Sequence, residues 1–272
     1  MSQQAVNHTY PIFVNNIPAY RIHAFDAYPE LNYAIFTRQG GVSQAPYQSL
    51  NLGSTVGDDP TAVQTNFTRV CQALDIHPNQ TVSCYQVHSA NILTVDRDNC
   101  QRIMGQADGL ITAELDIYLN LRFADCTPLL FYDPVRQAIG LAHAGWRGTM
   151  QNAAGATVQA MVNQLGCQAD NIIAVIGPAI GPCCYEVGPG VIEAAANTFV
   201  NSASLFQPNG KVDHGHFDMG AANRRQLAAG GVKQIIQSGL CTACRTDEFF
   251  SHRAENGQTG RFGVMMGLRG MA

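Results

Sequence analysis

The chain has 272 residues, of which 46% are apolar and only 13% charged, about half the charged share of an average soluble domain. With 26 Gly and 12 Pro it is neither disordered nor collagen-like, and 16 basic against 20 acidic side chains, with no Lys/Arg stripe, lack the footprint of a nucleic-acid binder. The length fits one large domain over 1–272.

The first 30 residues lack a basic start and an unbroken apolar run, and no later stretch reaches 18 uninterrupted apolar residues, so a soluble, cytoplasmic chain with no membrane partner is expected. Nine Cys at irregular spacing, in a chain long enough to bury a core unaided, fit free thiols in a reducing compartment. Asp58-Asp59-Pro60 is a helix-start signal and opens a predicted helix over 60–74. Strands follow at 81–88, 91–96, 108–113, 127–133 and 138–144; then come a helix over 149–165 ended by Gly166, a strand at 172–177, a helix at 219–230 and a last strand at 262–268. Mixed strands with interspersed helices read as α+β.

Residues 127–144 read as an antiparallel hairpin turning at Asp133-Pro134-Val135-Arg136. If Tyr132 faces Gln137, Cys126 lies directly across from His143, with their Cβ atoms about 4.5–5.5 Å apart on one face, close enough to share an ion. His88, at the end of the 81–88 strand, is the third candidate. Two His and one Cys match a catalytic zinc site with an open fourth position. The same residues also fit a buried Cys beside two core histidines, or a metal-free Cys-His nucleophilic pair.

Arg38, Arg147 and Arg253 each stand beside glycines that let an anion approach the backbone, and Arg147 precedes a helix expected to start at Thr149. Cys183-Cys184, in the Gly/Pro-shaped loop GPAIGPCCYEVG (177–188), is either part of a binding loop or buried packing. Cys241 and Cys244 have CxxC spacing without a second pair at zinc-ribbon distance and read as ordinary thiols. His214 and His216 read as a solvated polar turn, and Trp146, the single Trp, as packing.

Taken together, TRQGGVS, YQSLNLGSTVGDDPTAVQTNF, CYQVHSANI, QADGLIT, ADCTPLLFYDP, GLAHAGWRGT, GPAIGPCCYEVG, FDMGAANRRQL, and FFSHR with TGRFGVM resemble the laccase-domain family, long labelled multicopper polyphenol oxidase, which includes bacterial purine nucleoside phosphorylases and peptidoglycan editing factor. The resemblance runs nearly end to end, leaving about the first 30 residues and a stretch near 191–215 neutral. It implies two packed sheets flanked by helices in α/β/β/α layers, and Zn2+ held by His88, Cys126 and His143, with copper as an adventitious occupant. It further implies phosphate-dependent cleavage of adenosine, inosine, guanosine and methylthioadenosine, with adenosine deamination as a second activity. On that reading Arg38, Arg147 and Arg253 serve phosphate or ribose, His252 and the Cys184-Tyr185-Glu186 loop serve the nucleoside, and Asp125 orients a ligating His or its loop. The family often has Tyr-Arg where His252-Arg253 stand and Met-Ala where Phe262-Gly263 stand, which bears on the base pocket. A copper oxidase would need further paired histidines that this chain's eight scattered His do not supply; an amidase editing muropeptide precursors, with Cys126 as nucleophile and His143 as base, would use the same residues. A non-catalytic metal module would instead supply four protein ligands. A monomer is the default.

Overall fold

Apolar runs without alternation suit strands covered on both faces. In the computed structural model, which describes residues 8–99 and 103–270, the runs Thr127–Asp133, Ala138–Ala144 and Phe262–Leu268 are strands with every residue buried. In chain order the described elements are β1 (Thr9–Val14), β2 (Ile17–Ile22), β3 (Leu31–Phe36), α1 (Pro60–Ala73), β4 (Thr81–Tyr85), β5 (Ile92–Thr94), β6 (Ile103–Gln106), β7 (Gly109–Thr112) and β8 (Tyr118–Phe123). They continue with β9 (Thr127–Asp133), β10 (Ala138–Ala144), α2 (Trp146–Met150), α3 (Ala153–Leu165), β11 (Ile173–Ile176), β12 (Glu186–Val187), α4 (Pro189–Thr198), β13 (Phe206–Pro208), β14 (Gly215–Phe217), α5 (Met219–Ala229), β15 (Gln234–Gln237) and β16 (Phe262–Leu268).

A seven-stranded sheet has the order β1-β2-β3-β16-β8-β4-β6, a six-stranded sheet the order β15-β11-β9-β10-β7-β5, and β12-β14-β13 form a small third sheet. Parallel pairs (β4 with β6 and β8, β5 with β7, β11 with β15) interrupt otherwise antiparallel sheets. Leu130 and Tyr132 of β9 and Ile139 and Leu141 of β10 share one core with Leu119, Leu121, Val264 and Met266 of the larger sheet. On the other face of the smaller sheet, Leu129, Phe131 and Ala142 pack with Val158 and Met161 of α3 and Leu227 of α5. Ala34, Phe36 and Met265 lie beneath Val70 and Cys71 of α1. The resulting helix/sheet/sheet/helix order is the expected α+β architecture, and each fully buried Leu or Ile contributes about 1.5–3 kcal/mol. No helix among the described residues is long and apolar enough to cross a membrane.

Local chemistry explains most boundaries. Asp59 caps α1 by accepting the Thr61 N–H at 3.0 Å with Pro60 in the first turn, and Gly166 closes α3 at φ 67°, as the sequence suggests. The single helix expected over 149–165 is instead two: α2 starts at Trp146, and Asn152, left-handed at φ 65°, ends the turn and caps α3 through Gly155 N–H. His216 is not in a solvated turn but in β14, half-buried, its Nδ1 2.7 Å from the Pro182 carbonyl, whereas His214 is exposed.

The β9–β10 hairpin departs from its expected register by two residues. Tyr132 pairs with Ile139 rather than Gln137, and His143 with Pro128 rather than Cys126. Asp133 Oδ1 accepts the N–H groups of Val135 at 2.8 Å and Arg136 at 3.1 Å, and Gln137 takes φ 47°, so the loop is 134–137 and Asp133 stays in the ladder. A shift of two keeps every side chain on its own face. Cys126, one residue before β9, therefore still turns toward the inter-sheet side with His143.

Candidate active site

The ends of β4, β9 and β10 meet beside the inter-sheet core. His88 follows β4 with φ 61°, Cys126 precedes β9, and His143 is the penultimate residue of β10. Their ligand atoms all lie within 4.8 Å of one another, Cys126 Sγ is 3.8 Å from His88 Nε2, and the two imidazole rings are 5.0 Å apart at 78°. Gly145 is required here: a Cβ on it would lie 2.8 Å from Cys126 Sγ and 2.9 Å from His88 Cδ2.

Asp108, fully buried just before β7, organises the trio and was not singled out in the sequence. Its carboxylate accepts His143 Nδ1 at 2.8 Å, the Ser89 hydroxyl at 2.8 Å, and the backbone N–H groups of Val87, His88 and Ser89 at 3.1, 3.0 and 2.6 Å. It thus fixes the ring of one histidine and the left-handed backbone of the other. Burial raises its carboxyl pKa, but the donors, His143 first, outweigh that and hold it at about 2. Burial likewise opposes charge on Cys126 and His143, yet each favours the other's charged form, with Asp108 adding to the imidazole. The thiol is drawn down to about 6 and the imidazole up to about 9.

With Nδ1 bound to Asp108, His143 has Nε2 left for a ligand, the carboxylate–histidine arrangement found behind metal-binding imidazoles. The 3.8 Å Sγ–Nε2 separation is close to the roughly 3.5 Å edge of a tetrahedron with Zn–S about 2.3 Å and Zn–N about 2.0 Å. Two imidazoles and a thiolate therefore fit a metal ion, with one position left open.

Beside the trio lies a cleft of about 810 Å³. Arg122, Arg147, Arg253 and Arg261 line it, and none forms an ion pair with a carboxylate among the described residues. Arg122 reaches Ser83 Oγ at 2.7 Å, and the Arg261 guanidinium donates to the carbonyls of Thr259 and Gly260; burial lowers both guanidinium pKa values, against the pull of Cys126 and Asp125 on Arg261. Arg147 lies over the Trp146 ring at 4.4 Å and Arg253 over Tyr185 at 5.2 Å. Exposed Tyr85, Val87 and Ile103 form an apolar lip. Gln86, between two of them, bonds the Arg122 carbonyl at 2.8 Å and N–H at 3.0 Å, continuing the β4–β8 pairing with its side chain.

Of the expected site residues, His88, Cys126, His143, Arg147, Tyr185, His252, Arg253 and Asp125 line the cleft. Arg38 lies apart, bound to the carbonyls of Gln48 and Thr246 and to Glu255 at 2.9 Å. Cys184 sits in a cysteine cluster and Glu186 pairs with Lys211 at 2.7 Å, so only Tyr185 of that loop reaches the cleft. The Asp125 carboxylate bonds neither a histidine nor the 184–186 loop among the described residues; it ties down the 242–253 segment, accepting the Thr242 hydroxyl at 2.7 Å, the Ser251 hydroxyl at 2.7 Å and the Arg253 N–H at 2.6 Å. Arg122 and Arg261 went unremarked in the sequence because isolated arginines resemble surface residues. That neither pairs with a carboxylate among the described residues shows only in three dimensions.

Fold and site together define a four-layer α+β protein with a His/Cys/His centre in an arginine-lined cleft. The family model described as multi-copper polyphenol oxidoreductase laccase matches residues 32–269. The chain is 41% identical over 244 residues, 86% of this chain and 88% of the other, to a protein named purine nucleoside phosphorylase YlmD from Geobacillus stearothermophilus. It is 37% identical over 235 residues, 86% of this chain and 92% of the other, to one named purine nucleoside phosphorylase from Pseudomonas aeruginosa. A crystal structure of YlmD from Geobacillus stearothermophilus superposes with a TM-score of 0.88 at 36% identity, covering 93% of this chain and 96% of that one. The chain belongs to this laccase-like family.

Proposed function

We propose that the chain is a cytoplasmic, zinc-dependent purine nucleoside phosphorylase acting on adenosine, inosine, guanosine and methylthioadenosine, with adenosine deamination as a second activity. The observation that carries this is a cleft whose arginines lack carboxylate partners among the described residues, beside a three-ligand metal-capable centre. Four guanidinium groups at one cleft, Arg122 and Arg261 half-buried and none in ion-pair contact with a carboxylate among the described residues, favour an anionic substrate, and phosphate is the anion the reaction consumes. The names of the relatives support the nucleoside half of the reading.

In the reaction a phosphate oxygen bonds to the sugar C1′ as the bond from C1′ to the purine nitrogen breaks. The electron pair leaves with the base, which takes up a proton. Arg122 and Arg261 hold phosphate, Arg147 and Arg253 extend the positive field over the sugar, and the Tyr85-Val87-Ile103 lip takes the flat purine. His252 would bond the base or ribose, a role supported by its exposure at the cleft. His88, Cys126 and His143 would hold Zn2+, which supplies a fixed positive charge and a Lewis acid beside the reacting centre. Deamination would instead bond a water oxygen to the purine carbon that bears the amino group as the bond from that carbon to the amino nitrogen breaks, and the nitrogen, taking up the water's proton, leaves as ammonia.

An amidase using Cys126 as nucleophile and His143 as base is the second reading, favoured by their mutual charge stabilisation. The two separate in one experiment: purified, metal-quantified protein is incubated with adenosine with and without phosphate, alongside Cys126→Ala. Adenine formed only with phosphate, and lost in the variant, is the expected result; unchanged nucleoside in protein that carries zinc at His88, Cys126 and His143, identified as the zinc lost in Cys126→Ala, would overturn the phosphorylase reading.

A further inference from the structure

Outside the cleft, the loop after β11 and the loop after β15 bring together four cysteines that the proposed reaction does not use. We propose that Cys183, Cys184, Cys241 and Cys244 form a second, closed metal site that binds Zn2+ through four thiolates. Their Sγ atoms all lie within 4.8 Å of one another; Cys184 is 3.3 Å and Cys183 3.5 Å from Cys244. A tetrahedral Zn–S₄ centre with bonds of about 2.3 Å has edges of roughly 3.8 Å, inside that range. Cys241 and Cys244 have the two-residue spacing common in such centres, and the vicinal pair completes the set from a separate loop.

Backbone pairing holds the two loops together independently of any ion. Ala179 bridges to Cys241, with Ala179 N–H donating to the Leu240 carbonyl at 3.2 Å and Thr242 N–H donating to the Ala179 carbonyl at 3.1 Å. Gly181 N–H donates to Cys241 Sγ at 3.2 Å, a contact that favours sulfur as a thiolate ligand. A Cβ on Gly181 would lie 3.3 Å from Cys183 Sγ, so glycine suits this approach. Packing does not explain the group. Cys71, Cys84 and Cys167 are buried as core thiols usually are, whereas Cys183 and Cys244 are exposed and Cys184 and Cys241 half-buried. Four protein ligands leave no open position, so the role is structural, in contrast to the three-ligand centre in the cleft. The ion would tie the loop carrying Tyr185 to the segment leading to His252 and Arg253, whose guanidinium already donates to the Glu186 carbonyl at 2.7 Å.

The test is zinc per chain by mass spectrometry on protein produced with zinc, for the wild type, Cys183→Ser, Cys244→Ser and Cys126→Ala. Two equivalents in the wild type, falling to one in each variant and to none when Cys126→Ala is combined with Cys244→Ser, is expected. A single wild-type equivalent retained in Cys183→Ser and Cys244→Ser would overturn the site, as would disulfides among these four residues in the purified protein. Should the serine variants misfold, Co2+ added to metal-free Cys126→Ala gives the reading: a strong thiolate-to-cobalt absorption band is expected, and its absence refutes the proposal. Because the zinc count needs no nucleoside, failure of the phosphorylase reading leaves this result intact.

Discussion

Replacing Asp108 with Asn keeps the shape of the side chain but removes the charge on which five donors converge. Holding the carboxyl at about 2 rather than its usual 3.8 corresponds to about 2 kcal/mol of folding stability. Because the folded pKa is depressed, that stabilisation is complete above pH ~4 and disappears as pH falls through about 2. Asn also presents an NH₂ group to backbone donors, so the expected loss in metal-free protein at neutral pH is about 2–4 kcal/mol. His143 loses its charged partner and His88 the anchor for its left-handed backbone, so zinc affinity is expected to fall by about 10–100-fold. Urea unfolding of the metal-free protein and chelator competition for zinc measure the two effects separately. Unchanged stability and unchanged zinc affinity in Asp108→Asn would refute the view that one buried carboxylate positions both histidines.

Other consequences follow from single contacts. Arg122→Gln is expected to raise the KM for phosphate by about 10–100-fold while changing the KM for inosine little, since a charge-assisted bond is worth about 1.5–3 kcal/mol; equal effects on both substrates would place Arg122 elsewhere in the reaction. Tyr85→Ala removes the largest side chain of the apolar lip and is expected to raise the KM for nucleoside about tenfold with kcat nearly constant, in line with base–aromatic stacking of about 1–3 kcal/mol. An unchanged KM would remove the lip from the base site. In metal-free protein, iodoacetamide labelling of Cys126, followed by peptide mass spectrometry, is expected to fall as pH drops through about 6, because the depressed pKa keeps the thiolate present above that value. An inflection near the ordinary thiol value would show that His143 does not hold the charge.

The strands buried on both faces were the most legible part of the fold: 127–133, 138–144 and 262–268 have the same bounds in sequence and structure, because a short run of apolar residues between turns leaves little choice of boundary. The hairpin register was not legible. It depends on Asp133 binding two backbone N–H groups and on Gln137 adopting a left-handed conformation, which its residue type does not announce. The expected pairing of Cys126 with His143 is not found, His143 facing Pro128, but the two side chains still meet because a two-residue slip preserves the face. Asp108 was hidden for a different reason. An acidic residue before an apolar strand looks like a solvated boundary until His88 and His143 are seen around it, 20 and 35 residues away in the chain. The cysteine cluster was hidden in the same way, since Cys183 and Cys244 are 61 residues apart and are brought together by contacts such as the Ala179–Cys241 bridge, which appear only in the folded chain. Arg38 illustrates the converse: a glycine-flanked arginine suggested an anion site, but carbonyls and Glu255 take up its guanidinium.

The most direct test of the central claim is to follow inosine and phosphate with the zinc-loaded protein by phosphorus NMR while hypoxanthine is quantified by chromatography. The account predicts ribose 1-phosphate appearing in equal amount to hypoxanthine, with neither formed by Cys126→Ala. Hypoxanthine without any new phosphate ester would mean that water, rather than phosphate, cleaves the bond, and would contradict the role given to the arginine-lined cleft.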